Sequence, residues 1–238
     1  MDFIEDSRGI IRVHAWQDLP WLVHGWTTSA AGDFRRLPAD EALNRKLAVS
    51  GMEPRLVRQV HSNRIQVANS RELHSEGPAE ADGLVSGRRG LLLGIRTADC
   101  LAVLLVDRHR RAVAAVHAGW RGTVQRIAAG AVKKMQQEFG SAPKEIEAAI
   151  GPGIGKCCFE VGDGVAEQFD PSVTSDHQPP RIDLDAANRR QLSEAGISDE
   201  HIWSSGMCTH CSPEQFFSYR RDGDAAGRML AAIGVNRT

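Results

Sequence analysis

The chain has no apolar run approaching the roughly 18–20 residues that a membrane-spanning helix requires, which sets aside the helical membrane classes. It also lacks an excess of either charge: 29 basic residues stand against 30 acidic ones, so no global field draws it to nucleic acid or an acidic lipid surface. The opening segment, MDFIEDSRGIIRVHAWQDLPW, places acids before any base and has no signal-like apolar stretch, so a cytoplasmic location is expected. There is no internal repeat and no Pro/Ser-rich linker, which leaves one domain spanning residues 1–238 as the expectation. Cysteines number only five, an odd count with two adjacent, and that is poor geometry for a disulfide framework. Reduced thiols fit better, and a reduced thiol is a metal ligand, a nucleophile or a small buried hydrophobe.

What is present is a first half dominated by short β-rich runs, at 10–13, 22–26, 56–60, 65–68, 91–97, 101–107 and 112–116. Several are almost continuously apolar, as expected of a sheet covered on both faces. Four-residue spacing predicts one helix around Leu43 and Leu47 and a second starting after Gly122 and carrying Val124, Ile127, Ala131, Met135 and Phe139. A third is predicted over 183–195, stopped by Gly196, and 170–183 reads as a long surface loop. Strands cluster and helices intervene irregularly, without the strict alternation of a Rossmann fold or a TIM barrel. The fold class is therefore α+β, a mixed-sheet α/β/α-type layered sandwich.

Three chemistry-bearing side chains stand at strand ends. Cys100, in TADCLAVLLVD, lies between two apolar strands; AVAAV ends at His117 and breaks into the glycine-flanked turn AGWRG; and LVRQV runs into His61. Two imidazoles and a thiolate suit Zn²⁺ and leave a fourth tetrahedral position open, the mark of a catalytic site. Their separations match no local zinc motif, however, and a histidine at a strand end is more often a satisfied partner than a ligand. Cys208-Thr-His-Cys211 is a rival, since C-x-x-C is half of a common structural zinc site and Cys157-Cys158 would complete it. Against that, vicinal cysteines seldom both reach one tetrahedral ion, and thiols in a turn beside the site are the commoner outcome.

Two further segments carry polar signals. IGPGIGKCCFEVGDGV combines glycines that turn backbone N–H groups outward with one carboxylate, Glu160, though it matches neither the Walker pattern nor G-x-G-x-x-G. FFSYRRDG sets aromatics beside Arg220 and Arg221, an edge suited to stacking a base and pairing an anion.

Taken together, HGWTT, QVH, ADGLVS, TADCLAVLL, AAVHAGWRGT, IGPGIGKCCFEVG and CTHC with FFSYRRDG resemble the laccase-domain family, in the family's order and over almost the whole chain. That family is also described as multicopper polyphenol oxidase or purine nucleoside phosphorylase, and includes a peptidoglycan editing factor. The resemblance implies zinc at the His of QVH, the Cys of TADC and the His of HAGW, here His61, Cys100 and His117. It further implies phosphorolysis of adenosine, inosine or methylthioadenosine, with adenosine deamination as a second activity of the same metal. Arg121, near a helix start, with Glu160 and Arg220, is then expected to contact the substrate. The expected partners are small molecules, a purine nucleoside and phosphate, with no nucleic acid or membrane, and the protein is expected to be a monomer.

Three other readings stay open. Copper-dependent phenol oxidation ranks low, because multicopper sites draw on many histidines, typically in His-x-His pairs, and the nine histidines here include none. A cysteine hydrolase or amidase acting on a cell-wall precursor would use Cys100 as nucleophile and His117 as base without metal. A non-enzymatic binding module would be indifferent to Cys100. Two departures from the family pattern are a shortened segment between His24 and Asn44, which bears on selectivity, and Ala102 where a proline usually follows TADCL, which alters local stiffness.

Overall fold

A computed structural model describes residues 2–35, 51–68 and 78–237. Along the chain the strands are β1 (Phe3–Glu5), β2 (Ile10–Val13), β3 (Leu22–Thr27), β4 (Glu53–Leu56), β5 (Ile65–Val67) and β6 (Gly83–Ser86). They continue with β7 (Leu91–Thr97), β8 (Leu101–Asp107), β9 (Ala112–Ala118), β10 (Ile146–Ile150), β11 (Ile202–Ser204) and β12 (Met229–Val235). The first sheet is ordered β1-β2-β3-β12-β7-β4 and the second β11-β10-β8-β9-β6-β5, each mixing parallel with antiparallel pairs. The helices are α1 (Trp120–Val124), α2 (Ile127–Phe139), α3 (Asp163–Ala166), α4 (Leu184–Glu194) and α5 (Tyr219–Asp222).

Strand alternation decides the layering. Ala102, Leu104 and Val106 of β8 join the core between the two sheets with Leu93, Ile95, Ala231 and Ile233. Leu101, Val103 and Leu105 face the other way, onto Ile127, Ala128, Ala131, Val132 and Met135 of α2. A strand buried on both faces reads as an unbroken apolar run. The alanines of β9 lack the bulk that would hold α2 off the sheet. The mixed-sheet sandwich is as expected, and α2 and α4 cover the second sheet on the face turned away from the first.

Three local departures have identifiable causes. The run at 56–60 leaves the sheet at Leu56, because the amides of Val60, His61 and Ser62 bond a buried carboxylate instead of a ladder. The helix expected from Val124 to Phe139 is two: Arg126 adopts a left-handed φ of 59°, and the carbonyl of Thr123 is taken by the Gln191 side chain at 2.8 Å. Within 170–183, Asp170 caps a short turn, and Thr174 pairs with Ile182. The helix expected around Leu43 and Leu47 lies outside the described residues, as does most of the shortened segment after His24. Ala102 is fully buried and its carbonyl accepts from Trp26 Nε1, tying the two sheets together.

Among the described residues no helix is long and apolar enough to cross a membrane.

Candidate active site

Chain topology brings three distant side chains together. β7 and β8 are joined by the tight turn Ala98-Asp99-Cys100, in which Asp99 takes φ 84°. His117 stands next to last in β9, and its neighbour in the ladder is Ala102, just beyond Cys100. His61 sits in the loop after β4 with φ 57°. Imidazole nitrogens of His61 and His117 and the Cys100 sulfur all lie within 4.8 Å of one another. The two rings meet edge to face, centroids 4.9 Å apart.

One buried carboxylate organises two of the three. Asp82, with no solvent exposure, accepts from His117 Nδ1 at 2.8 Å, from the His61 amide at 2.9 Å, and from the Ser62 amide and hydroxyl at 2.6 and 2.8 Å. It both bends the 60–62 loop towards the second sheet and fixes which His117 nitrogen remains for a ligand. The hydrogen bonds from His117 and Ser62, with the His117 charge, overcome the burial that would raise Asp82 and hold its carboxyl well below the usual range. Asp82 lies in the ADGLVS motif, yet nothing in the sequence distinguishes it from an ordinary turn aspartate.

Burial would push the Cys100 thiol up, but the His117 charge and hydrogen bonds from His117 and His61 bring it down to about 6. Burial likewise opposes charge on His117; the thiolate of Cys100 and the carboxylate of Asp82 win, raising it to about 9.

The cluster fits a divalent metal. A soft thiolate and two imidazoles form a borderline donor set suited to zinc, and His117 already shows the carboxylate-bound nitrogen typical of a metal-ligating histidine. Gly119 leaves the room: a Cβ there would lie 2.8 Å from Cys100 Sγ and 3.5 Å from His61 Cδ2.

Over the cluster opens a cavity of about 420 Å³. Its walls include His61, Cys100 and His117, four arginines (Arg35, Arg58, Arg96 and Arg228) and Tyr219. Gln59 fastens this rim, exchanging two hydrogen bonds with the backbone of Arg96 at 2.8 and 2.9 Å. Burial and the neighbouring charge of Arg228 hold the Arg96 guanidinium below its ordinary pKa. Tyr219, 50% exposed, lies under the Arg228 guanidinium at 5.7 Å, whereas Phe216 is buried in the core.

The polar residues expected to contact substrate have other partners: Arg121, Glu160 and Arg220 are not among the residues lining this cavity. Arg121 stacks over Trp120 at 4.4 Å. Glu160 pairs with Arg181 at 2.6 Å. Arg220 donates its side chain to the Glu160 carbonyl at 3.0 Å and its amide to Asp99 Oδ2 at 2.6 Å, buttressing the turn that carries Cys100.

Known proteins share this sequence pattern and architecture. The profile of the family described as multi-copper polyphenol oxidoreductase laccase matches residues 38–236. A protein of Deinococcus radiodurans named purine nucleoside phosphorylase is 41% identical over 179 residues, covering 72% of this chain and 69% of that one. Adenosine deaminase RL5, from an unknown prokaryotic organism, is 38% identical over 221 residues, covering 84% and 81%. The crystal structure of YlmD from Geobacillus stearothermophilus superposes with a TM-score of 0.88 at 31% identity, covering 99% of each chain.

Proposed function

The chain belongs to the multi-copper polyphenol oxidoreductase laccase family, and from that membership and the cationic cavity over His61, Cys100 and His117 we propose a zinc-dependent purine nucleoside phosphorylase. The observation that carries this reading is the four arginines gathered beside the cluster, because phosphorolysis needs an oxyanion held as the attacking group. A relative named purine nucleoside phosphorylase supports the same reaction.

His61, Cys100 and His117 would hold the zinc, which when bound supplies a Lewis acid with one position open to phosphate or water. Asp82 keeps His117 Nδ1 engaged, so the imidazole presents its other nitrogen to the cluster. Arg96 and Arg228 bind and orient phosphate for attack on the anomeric carbon. As the new C–O bond forms, the bond from that carbon to the purine nitrogen breaks and its electron pair leaves with the base. Tyr219, half-exposed at the cavity wall, is the aromatic ring against which a purine stacks. The substrates are adenosine, inosine and methylthioadenosine, with adenosine deamination as a side activity, in keeping with the relative named adenosine deaminase.

Multicopper oxidation fits less well. Among the described residues only two groups of potential metal donors converge, and neither holds more than two histidines, too few for a three-copper cluster. A metal-free cysteine hydrolase has one observation in its favour, the lowered Cys100 thiol beside a charged His117.

The deciding measurement is phosphate-dependent release of free base by metal-analysed protein, wild type beside Cys100→Ala. Loss of both base release and one equivalent of zinc in the variant supports the phosphorylase. Turnover that persists after chelation, or that ignores phosphate, overturns it in favour of the cysteine hydrolase.

A further inference from the structure

A second group of metal donors is carried by two loops that bond to Asp99 of the Asp99-Cys100 turn. Cys157 and Cys158 sit on the turn that leads out of the glycine-rich segment, and Cys208 and Cys211 on the loop after β11. Backbone bonds hold the two segments side by side: the Gly153 amide donates to Met207 O at 3.2 Å and the Thr209 amide to Gly153 O at 2.9 Å. All four sulfurs lie within 4.8 Å of one another, with Cys211 Sγ 3.6 Å from that of Cys157 and 3.3 Å from that of Cys158. The objection that vicinal cysteines seldom reach one ion does not apply here, because both point to the same partner.

These spacings, from 3.3 Å to no more than 4.8 Å, bracket those of a particular ligand. Four sulfurs at about 2.3 Å from a tetrahedral zinc stand roughly 3.8 Å apart, whereas a disulfide would need about 2.05 Å. The donor set is all thiol, with no carboxylate or imidazole among the four, which selects a soft or borderline cation. The Gly155 amide already donates to Cys208 Sγ at 3.2 Å, the backbone-to-sulfur bond that steadies a thiolate. Gly155 has little room for a side chain, since a Cβ there would stand 3.3 Å from Cys157 Sγ and 3.3 Å from Cys208 Cβ.

We propose that Cys157, Cys158, Cys208 and Cys211 form a second metal centre, a structural zinc tetrathiolate that positions the Asp99-Cys100 turn. Four protein ligands leave no open position, so the ion does no chemistry on substrate. Its binding displaces the thiol protons and staples the two loops. Both loops grip Asp99: the Ile154 amide donates to its carbonyl at 2.7 Å, and the Thr209 hydroxyl to its Oδ1 at 2.7 Å. Asp99, in its left-handed conformation, in turn sets the direction of Cys100. Structural zinc thus maintains the geometry of the first cluster without touching it.

The test uses Cys100→Ala protein prepared under reducing conditions, with His61→Ala as the substitute if that variant does not fold. Removing the first cluster isolates the second. Zinc analysis is expected to find about one equivalent per chain. Exchange with Co²⁺ is expected to give tetrahedral d–d bands with intense thiolate-to-cobalt charge transfer. In the wild-type background, Cys208→Ser with Cys211→Ser is expected to lose one zinc and about 5 °C or more of melting temperature. No zinc in the folded Cys100→Ala protein, a cobalt spectrum without thiolate character, or a disulfide between Cys211 and Cys157 or Cys158 in the reduced preparation overturns the proposal. Failure of the first cluster reads differently, as equal zinc in wild type and Cys100→Ala.

Discussion

Asp82 and His117 meet at 2.8 Å in a fully enclosed contact, and the same carboxylate receives three amides and a hydroxyl from the loop that carries His61. Asp82→Asn keeps the shape but replaces an acceptor oxygen with an amide that faces donors. A buried donor left unsatisfied costs about 1–3 kcal/mol. The larger effect should fall on the metal, because loss of the group orienting a ligating histidine typically lowers affinity about 10–100-fold. Zinc competition titration beside thermal melting checks this: a weakened metal with a modest fall in melting temperature is expected, and unchanged metal affinity would remove Asp82 from the site.

Gly119 is the close approach on which the cluster depends. A methyl there would be 2.8 Å from Cys100 Sγ, inside any ordinary contact, and the sulfur cannot retreat far because Asp99 is held at both carboxylate oxygens. Gly119→Ala is expected to leave the sandwich intact while lowering kcat/KM by about 100-fold, the scale of a misplaced reacting group. Circular dichroism and kinetics on the same preparation separate this from global unfolding.

The sequence carried the sandwich and the first cluster unequally. β8 was legible because a strand covered on both faces must be apolar throughout, and β4 was not, because Pro54 and Arg55 spoil the pattern at the sheet's edge. At the break the Thr123 carbonyl accepts both the Arg126 amide and the side chain of Gln191, 68 residues from Thr123, a partner that no local spacing encodes. His61, Cys100 and His117 drew notice as scarce residue types expected near strand ends, but their separations match no local zinc motif, and the family resemblance is what singled them out. Arginine is common here, and the four that line the cavity come from separate stretches of chain, so only folding gathers them. Arg220 attracts notice for its aromatic neighbours, yet its backbone amide is what serves the site.

Arg96 tests the phosphate-binding role directly. It is half-buried beside Arg228 at the cavity wall and fastened through its backbone to Gln59, so a positive charge is held in a fixed place where an anion can pair with it. Arg96→Gln should raise the phosphate KM by about 10–100-fold, the equivalent of losing one charge-assisted hydrogen bond of about 1.5–3 kcal/mol. The nucleoside KM should change far less. Initial rates over a phosphate series at saturating nucleoside decide it, and a shift confined to the nucleoside would reassign Arg96 to the sugar or base.

His24 gives the fold an acid sensitivity independent of either group of metal donors. Burial, reinforced by the charge of Arg12, depresses its pKa from 6.5 to about 3. The Val13 amide donates to Nε2 at 3.0 Å, a bond that needs the ring neutral. The unfolded chain therefore binds a proton below pH 6.5 that the folded chain refuses. The stabilisation is complete above pH 6.5 and drains away as pH falls towards about 3. At about 1.4 kcal/mol per unit, this group alone removes roughly 2 kcal/mol between about pH 7 and pH 5. His24→Gln keeps a carbonyl that can accept from Val13 but cannot take up the proton. Denaturant titrations at both pH values should show the variant losing about 2 kcal/mol less than wild type over that interval. Parallel losses in the two proteins would place the acid sensitivity elsewhere.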